Sequence, residues 1–328
     1  MSLGIPNLDS QLESHLISRM GEVETLLRSH IVGKYPLVIE TSRHLVEAGG
    51  KRLRPLLTLL AAEFGDSSRE EIIQAAVVCE LTHLATLYHD DVMDEAPLRR
   101  GVESANKRWD NTVAILTGDY LFAKTSALLA ELGPEAVRIH AETFERLVIG
   151  QIMETQGSTA GLSLLDHYTQ VIADKTGSLI ATSARYGAMF AGASAKDVEI
   201  LTAYGEKIGI LFQLADDIID IASETTESGK TPGTDLREGV PTMVTVHIIE
   251  SHDPADEALK KILSAPITDE AIVAQTLATL RTHKVMRDSR KLLVRYANES
   301  KELLRDLANS PAKDALVSLC DAIITRTA

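Results

Sequence analysis

The sequence predicts an all-α fold, and three observations carry that prediction. No stretch of the 328 residues sustains the apolar–polar alternation of a half-buried strand. Apolar residues recur instead at spacings of three and four, as at Leu12, Leu16, Ile17 and Met20, which puts them on one helical face. The prolines leave a gap between Pro134 and Pro232. A proline inside a helix costs about 3 kcal/mol, so that gap is where long helices run.

Helices are expected first at about residues 8–30 and 36–48, the second closed by Gly49-Gly50 as a C-terminal cap. GGKRLRP follows, Gly49 to Pro55. Pro55 suits the first turn of a helix. Free amides and the dipole at a helix start favour anions, so Lys51, Arg52 and Arg54 there read as a diphosphate anchor. Ser68-x-x-Glu71 reads as a capping box. The helix it would open has no glycine or proline from Glu71 to Glu95 and is apolar on nearly all sides, which places it at the centre of the fold. Pro97 ends it, and Arg99-Arg100-Gly101 follows.

Further helices are expected at about 112–132, 135–160 and 163–174. The middle one carries Gln151, Glu154, Thr155 and Gln156, read as a solvated face. Lys175-Thr176-Gly177 interrupts the pattern. Helices resume from Leu179 to Phe190 and from about 195 to 221, the latter opened by Ser194-x-x-Asp197. Ser223 to Gly239, with Gly229, Gly233 and Gly239, reads as a lid on glycine hinges. Residues 241–328 read as amphipathic helices without chemistry. No linker or low-complexity tract divides the chain. One domain over 1–328 is expected, with a motif-bearing core at about 36–240.

A net charge of −14, from 33 Lys and Arg against 47 Asp and Glu, argues in bulk against a nucleic-acid or anionic-membrane partner. Two cysteines allow neither a disulfide framework nor a zinc site. The N-terminus lacks the basic and apolar regions of a secretory signal, and no apolar run reads as a membrane span. A cytoplasmic location is expected. Peripheral membrane contact would suit a greasy substrate.

The chemistry centres on two aspartate triplets of one spacing. Asp90, Asp91 and Asp94 end the central helix, and Asp216, Asp217 and Asp220 end the later one. Positions i and i+4 share a helical face, so Asp90 meets Asp94, and Asp216 meets Asp220. Clustered carboxylates repel unless a cation intervenes. Magnesium suits them, since it takes one or two carboxylates together with water and substrate phosphate oxygens. His83, two turns before Asp90, and the forked Arg99 and Arg100 are candidate phosphate donors. Gln213 lies one turn before Asp216 and faces the same way.

Five co-linear motifs then carry a resemblance: GGKRLRP, DDVMD with RRG, KT, FQLADDIID and GKTPGTDLREG. Together they resemble the trans-prenyltransferases, the head-to-tail polyprenyl diphosphate synthases. The resemblance implies the isoprenoid synthase bundle around a deep central cavity, with the two aspartate motifs facing across it, and a homodimer. It implies a trio of magnesium ions on Asp90, Asp94 and Asp216, supported by Asp91, Asp217 and Asp220. Asp90, Asp91, Asp94, Lys175 and Asp216 would be catalytic. Gly50, Lys51, Arg54, His83 and Arg100 would bind isopentenyl diphosphate. Arg99, Lys175, Thr176, Gln213 and Lys230 would bind the allylic diphosphate.

In that family, bulky aromatics four or five residues before the first aspartate close the product pocket. Here Thr86 and Ala85 stand there, with Thr82, Leu81 and Val78 deeper. None is aromatic, so a product of thirty carbons or more is expected. Neighbouring helices, such as Tyr120 to Leu129, can also set length in this family, which keeps a twenty-carbon geranylgeranyl diphosphate synthase as the alternative. A terpene cyclase would not need the second diphosphate site. A non-catalytic subunit would generally lack the aspartates, and a metal phosphohydrolase built on His83 and His89-Asp90 would leave the second triplet unexplained.

Overall fold

The computed structural model describes residues 3–33, 35–158, 161–223 and 232–327, and it is all-α. The helices are α1 (Ser10–His30), α2 (Pro36–Glu47), α3 (Leu53–Ala62), α4 (Glu70–Met93), α5 (Ala105–Arg108), α6 (Asn111–Leu132), α7 (Pro134–Gln156) and α8 (Leu164–Ile172). They continue as α9 (Ser178–Phe190), α10 (Ala195–Ala222), α11 (Thr234–Glu238), α12 (Met243–Ile249), α13 (Glu257–Leu263), α14 (Glu270–Thr282), α15 (Lys284–Leu303) and α16 (Pro311–Thr325). Two expectations change locally. Arg99–Gly101 is the tip of a small antiparallel hairpin, β1 (Leu98–Arg99) with β2 (Val102–Glu103). The capping box at Ser68 does not form, because Arg69 takes the N-cap position and Ser68 donates its N–H to Asp66 instead.

Two compact units organise the chain. The first holds Met1–Phe144, Leu179–Gly205 and Leu307–Leu316, and the second holds the remainder. In the first, α4 packs against α1, α3 and α6. Ile72, Ala75, Ala76, Val77, Val78, Leu81, Leu84 and Tyr88 of α4 are each fully enclosed. The all-round apolar pattern therefore predicted the central helix correctly. Each such Leu or Ile contributes about 2 kcal/mol. Tyr88 carries a polar atom into this core and satisfies it. Its hydroxyl donates to Thr41 O at 2.5 Å and accepts from Leu45 N at 3.2 Å, which ties α2 to α4. Small residues let the helices approach closely. A Cβ on Gly187 of α9 would stand 2.0 Å from Thr58 O of α3.

In the second unit, α8 does not stop where the sequence pattern breaks. It runs through a π-helical turn, Ala173–Gly177. Gly150 of α7 makes room for that turn, since a Cβ there would lie 2.6 Å from Lys175 N. Arg146 braces it, donating to Asp174 at 2.7 Å and to Glu206 of α10 at 2.8 Å. Helix α6 departs from the sequence reading in one respect: by length and composition it could span a membrane, although a minority of its apolar window is buried.

Gly187→Ala should lower stability by about 1–3 kcal/mol, because the added methyl forces α9 and α3 apart. A urea titration checks this: the midpoint should fall at an unchanged slope. A midpoint equal to the parent's would contradict the close approach.

Candidate active site

The first part of the site is a basin of guanidinium groups in the first unit. The chain enters it through an unusual backbone. Gly49 and Gly50 have φ of 88° and 153°, and Arg52, Glu95 and Arg100 are non-glycine residues at 49°, 48° and 54°. Such left-handed residues cost roughly 1–3 kcal/mol each and gather at functional sites. Gly50 is required for a second reason. A Cβ there would meet the Arg100 guanidinium carbon at 2.9 Å, so glycine lets that side chain lie against the backbone. Arg100 donates to Leu45 O at 2.8 Å and to Gly49 O.

One member of the predicted anchor is spent elsewhere. Arg52 is buried and donates to Glu24 at 2.5 Å and to Glu80 at 2.9 Å, so it organises the basin rather than presenting a free charge. Glu80 also lies 3.8 Å from Arg100. Arg54 is half-buried, its Nε is enclosed without a hydrogen-bond partner, and burial lowers its affinity for its proton. Lys51 is exposed at the edge. His83 registers the whole arrangement. Burial first, then Arg54, Arg100, Arg99 and Arg52, hold its imidazole well below the usual range, so it is neutral. Burial, the larger cause, disfavours charge of either sign; it is the guanidiniums around the imidazole that suit the pocket to an anion.

At the end of α4, Asp90 is half-buried, Asp91 enclosed and Asp94 exposed. The hairpin returns Arg99 to them: its Nε donates to Asp91 Oδ1 at 2.5 Å, and a terminal nitrogen lies 3.7 Å from Asp94. Asp91 Oδ2 is buried with no hydrogen-bond partner. Burial raises the Asp91 carboxyl above the usual range, against the pull of Arg99. An enclosed carboxylate oxygen with an unused lone pair fits a cation.

The second unit holds the other triplet. Burial lifts Asp217 to about 6, although Tyr168 Oη donates to it at 2.5 Å, Met243 N at 3.0 Å and Gln213 Nε2 at 3.1 Å. Asp220 accepts from the backbone of Thr234 and Asp235 at 3.2 and 3.3 Å, which moors the start of α11. The π turn presents Lys175 to Glu154 and Thr176 to Gln213, the latter at 3.4 Å. Thr155 and Gln156 of that patch are exposed, as a solvated face requires, whereas Glu154 is half-buried and paired with Lys175. From the segment 241–328, Arg326 reaches the triplet: it donates to Asp216 at 2.9 Å and lies 5.0 Å over the Phe212 ring. Lys230 lies outside the described residues.

Of the positions expected to set product length, Leu81, Thr82 and Ala85 are buried and Thr86 half-buried, all on α4. Thr82 donates to Val78 O at 2.8 Å, and His140 Nε2 lies 2.9 Å from the same hydroxyl. His140 stacks on Phe144, Phe144 meets Phe122 edge-on at 4.8 Å, and Phe122 lies 5.7 Å from His89. No aromatic stands at those α4 positions, and Phe122 and Phe144 stand on α6 and α7 instead. Among the described residues, no three His, Cys, Asp or Glu form a ready-made metal group. Magnesium needs no such cage.

An arginine basin in the first unit and an aspartate-bearing helix end in each unit are features suited to diphosphate chemistry. The model of the polyprenyl synthetase family matches residues 35–280. The chain is 43% identical to the nonaprenyl diphosphate synthase of Mycobacterium tuberculosis, over 98% of this chain and 97% of that one. Its fold matches the geranylgeranyl pyrophosphate synthase of Corynebacterium glutamicum, crystallised with calcium and isoprenyl diphosphate, with a TM-score of 0.87 and 43% identity over 97% and 98% of the two chains. A decaprenyl diphosphate synthase from Rhodobacter capsulatus matches with a TM-score of 0.88 and 31% identity over 97% and 99%. The chain belongs to the polyprenyl synthetase family. It is a prenyltransferase, a prenyl diphosphate synthase.

His140 supplies a pH test. Burial depresses it to about 4, below the ordinary 6.5 of an unfolded chain. Its contribution to stability is therefore complete above about pH 6.5 and is lost as pH falls through about 4, by up to about 3 kcal/mol. His140→Gln, which keeps a donor for Thr82, should flatten that part of the stability–pH curve. Denaturant midpoints over that range check it, and an unaltered slope would contradict the assignment.

Proposed function

We propose that the enzyme adds isopentenyl diphosphate head-to-tail to an allylic prenyl diphosphate and releases an all-trans product of thirty carbons or more. The observation that carries this reading is the neutral His83 among four guanidiniums, in the same unit as Asp90, Asp91 and Asp94. An anion-binding basin and a cation-binding helix end are what two diphosphates and their metals require.

Lys51, Arg54, His83 and Arg100, with Gly50, hold isopentenyl diphosphate in this reading. A neutral His83 donates a hydrogen bond without adding to the repulsion among the arginines. Arg99, Lys175, Thr176, Gln213 and Lys230 hold the allylic diphosphate. Lys175 exchanges Glu154 for phosphate when substrate arrives. Asp90, Asp94 and Asp216 are the direct ligands of a trio of magnesium ions, and Asp91, Asp217 and Asp220 support them. What magnesium supplies when bound is neutralisation of the charge that develops on the departing diphosphate. The chain's own contribution is orientation of the two substrates and exclusion of water from the allylic cation. The segment 223–239, of which 224–231 lie outside the described residues, is assigned that second task; at its described end the Thr234 N–H donates to Asp220.

Small residues at Ala85 and Thr86 support the long product, as do the names of the nonaprenyl and decaprenyl relatives. The Corynebacterium relative keeps a twenty-carbon product in the test. A homodimer is supported by exposed apolar residues on α6, where Leu116 is 60% and Ile115 42% exposed. The motif order runs through both units, which supports one functional domain, and a cytoplasmic location is proposed with it.

Purified protein given Mg²⁺, labelled isopentenyl diphosphate and a farnesyl primer should elongate the primer, and product chromatography reads its length. Asp90→Ala should cut turnover by at least about a hundredfold with the helical circular dichroism unchanged. No elongation by the parent, or near-normal turnover in the variant, would overturn the reading.

Arg326→Ala should lower the Mg²⁺ concentration for half-maximal turnover by about two- to fivefold, the worth of one partly exposed ion pair competing for Asp216. An unchanged or raised requirement would mean that Arg326 does not compete with metal.

A further inference from the structure

Helix α15 carries a charge distribution for which the reaction has no use. The chain is acidic overall, yet the exposed residues Lys284, Arg287, Arg290, Lys291 and Arg295 share this one helix, and Asp288 is the single acid between positions 284 and 298. Lys284, Arg287, Lys291 and Arg295 follow one another at spacings of three and four, so they form a stripe. The opposite face, Val285, Met286, Ser289, Leu293 and Ala297, is buried and fixes the helix rotation. Arg287, Arg290, Lys291 and Val294 line an open groove of about 400 Å³.

The local acids do not consume this charge. Lys291 pairs with Asp288 at 2.9 Å, Lys284 with Asp253 at 2.5 Å, and Arg295 reaches Glu299 only at 3.8 Å. Exposed pairs of this kind are worth roughly 0–1 kcal/mol and exchange partners readily. Arg290 donates to Thr327 O at 3.2 Å. Among the described residues, neither Arg287 nor Arg290 pairs with a carboxylate. Charges farther away than the Debye length, about 8 Å at physiological salt, are screened. A nearby surface therefore responds to this stripe and not to the net −14.

We infer that the exposed face of α15 docks the enzyme on an anionic bilayer surface. The inference rests on the proposed product. A diphosphate on thirty or more carbons partitions into lipid, and an enzyme held at the surface delivers it there. Charge complementarity identifies the occupant: a row of cations about 16 Å long, with Val294 the one exposed apolar side chain among them, matches phosphate headgroups in a plane. The contact is electrostatic, shallow and reversible.

Co-sedimentation of the full chain with vesicles tests it. The parent should bind phosphatidylcholine vesicles containing about one-third phosphatidylglycerol and not phosphatidylcholine alone, and about 0.5 M salt should release it. Arg287→Gln combined with Lys291→Gln and Arg295→Gln should weaken binding by about a hundredfold, at roughly 1 kcal/mol per cation. Elongation of a soluble primer in the absence of vesicles should stay at the parent's rate, since none of the three has been placed at the active site. Arg287→Gln alone should show a partial loss.

Parent-level binding by the triple variant, equal binding of the parent to neutral vesicles, or preference for duplex DNA over vesicles would each overturn the inference. The elongation assay fails independently. Loss of elongation with salt-sensitive vesicle binding retained would remove the proposed product and leave the docking surface standing.

Discussion

The arginine basin depends on one buried carboxylate. Glu80 sits on α4 with 2% of its surface exposed, 2.9 Å from Arg52 and 3.8 Å from Arg100. Guanidiniums crowded around His83 would repel one another, and burial would worsen that repulsion by removing water. Glu80 offsets part of it and leaves the rest. The balance matters. Of the basin's guanidiniums Glu24 holds only Arg52, whereas without Glu80 the charge of Arg54 and Arg100 would lose the carboxylate that offsets it, at a cost on the order of 3–5 kcal/mol. Arg52 gives up its own charge to this arrangement, which leaves Arg54 and Arg100 with charge available for an anion.

The second unit positions its polar groups by a different device. A regular helix would carry Lys175 and Thr176 round at 100° per residue. The π turn adds a residue and re-aims both, so that Lys175 meets Glu154 and Thr176 meets Gln213. A π turn is costly and is found mostly at functional positions. Here Gly150 admits it and Arg146 braces it from outside. Local helical regularity has been given up for the direction of two side chains.

Much of this was legible in the sequence. Period and proline spacing place the long helices, and the aspartate triplets with their flanking bases mark the site residues, because those motifs are local. What could not be read depends on long-range pairing. Glu80 looks like an interruption in AAVVCELTHL until Arg52 arrives from 28 positions earlier. Glu154 looks solvated until the π turn brings Lys175 back to it. Arg326 belongs to a tail without any motif, 110 positions from Asp216. The capping box at Ser68 failed for a local reason: Asp66 competes for the same serine, with its carboxylate accepting from both the N–H and the hydroxyl.

Helix α4 joins the two tasks of the first unit, and its packing limits how freely either can change. Its end presents Asp90, Asp91 and Asp94, while the turns before them carry the positions assigned to product length. Those turns pack on α6 so closely that a Cβ on Gly118 would force the His89 ring to move: it would lie 2.4 Å from His89 Nε2 and 3.0 Å from Ala85 O. His89 directly precedes the first aspartate. A bulkier Ala85 or Gly118 would therefore press on the frame that aims the carboxylates as well as narrow any space beneath them. Substitution at Thr86, which is half-buried and bonds only to His83 O of its own helix, disturbs that frame least. Product length should thus be most freely adjusted at the one position of the four that the core does not grip.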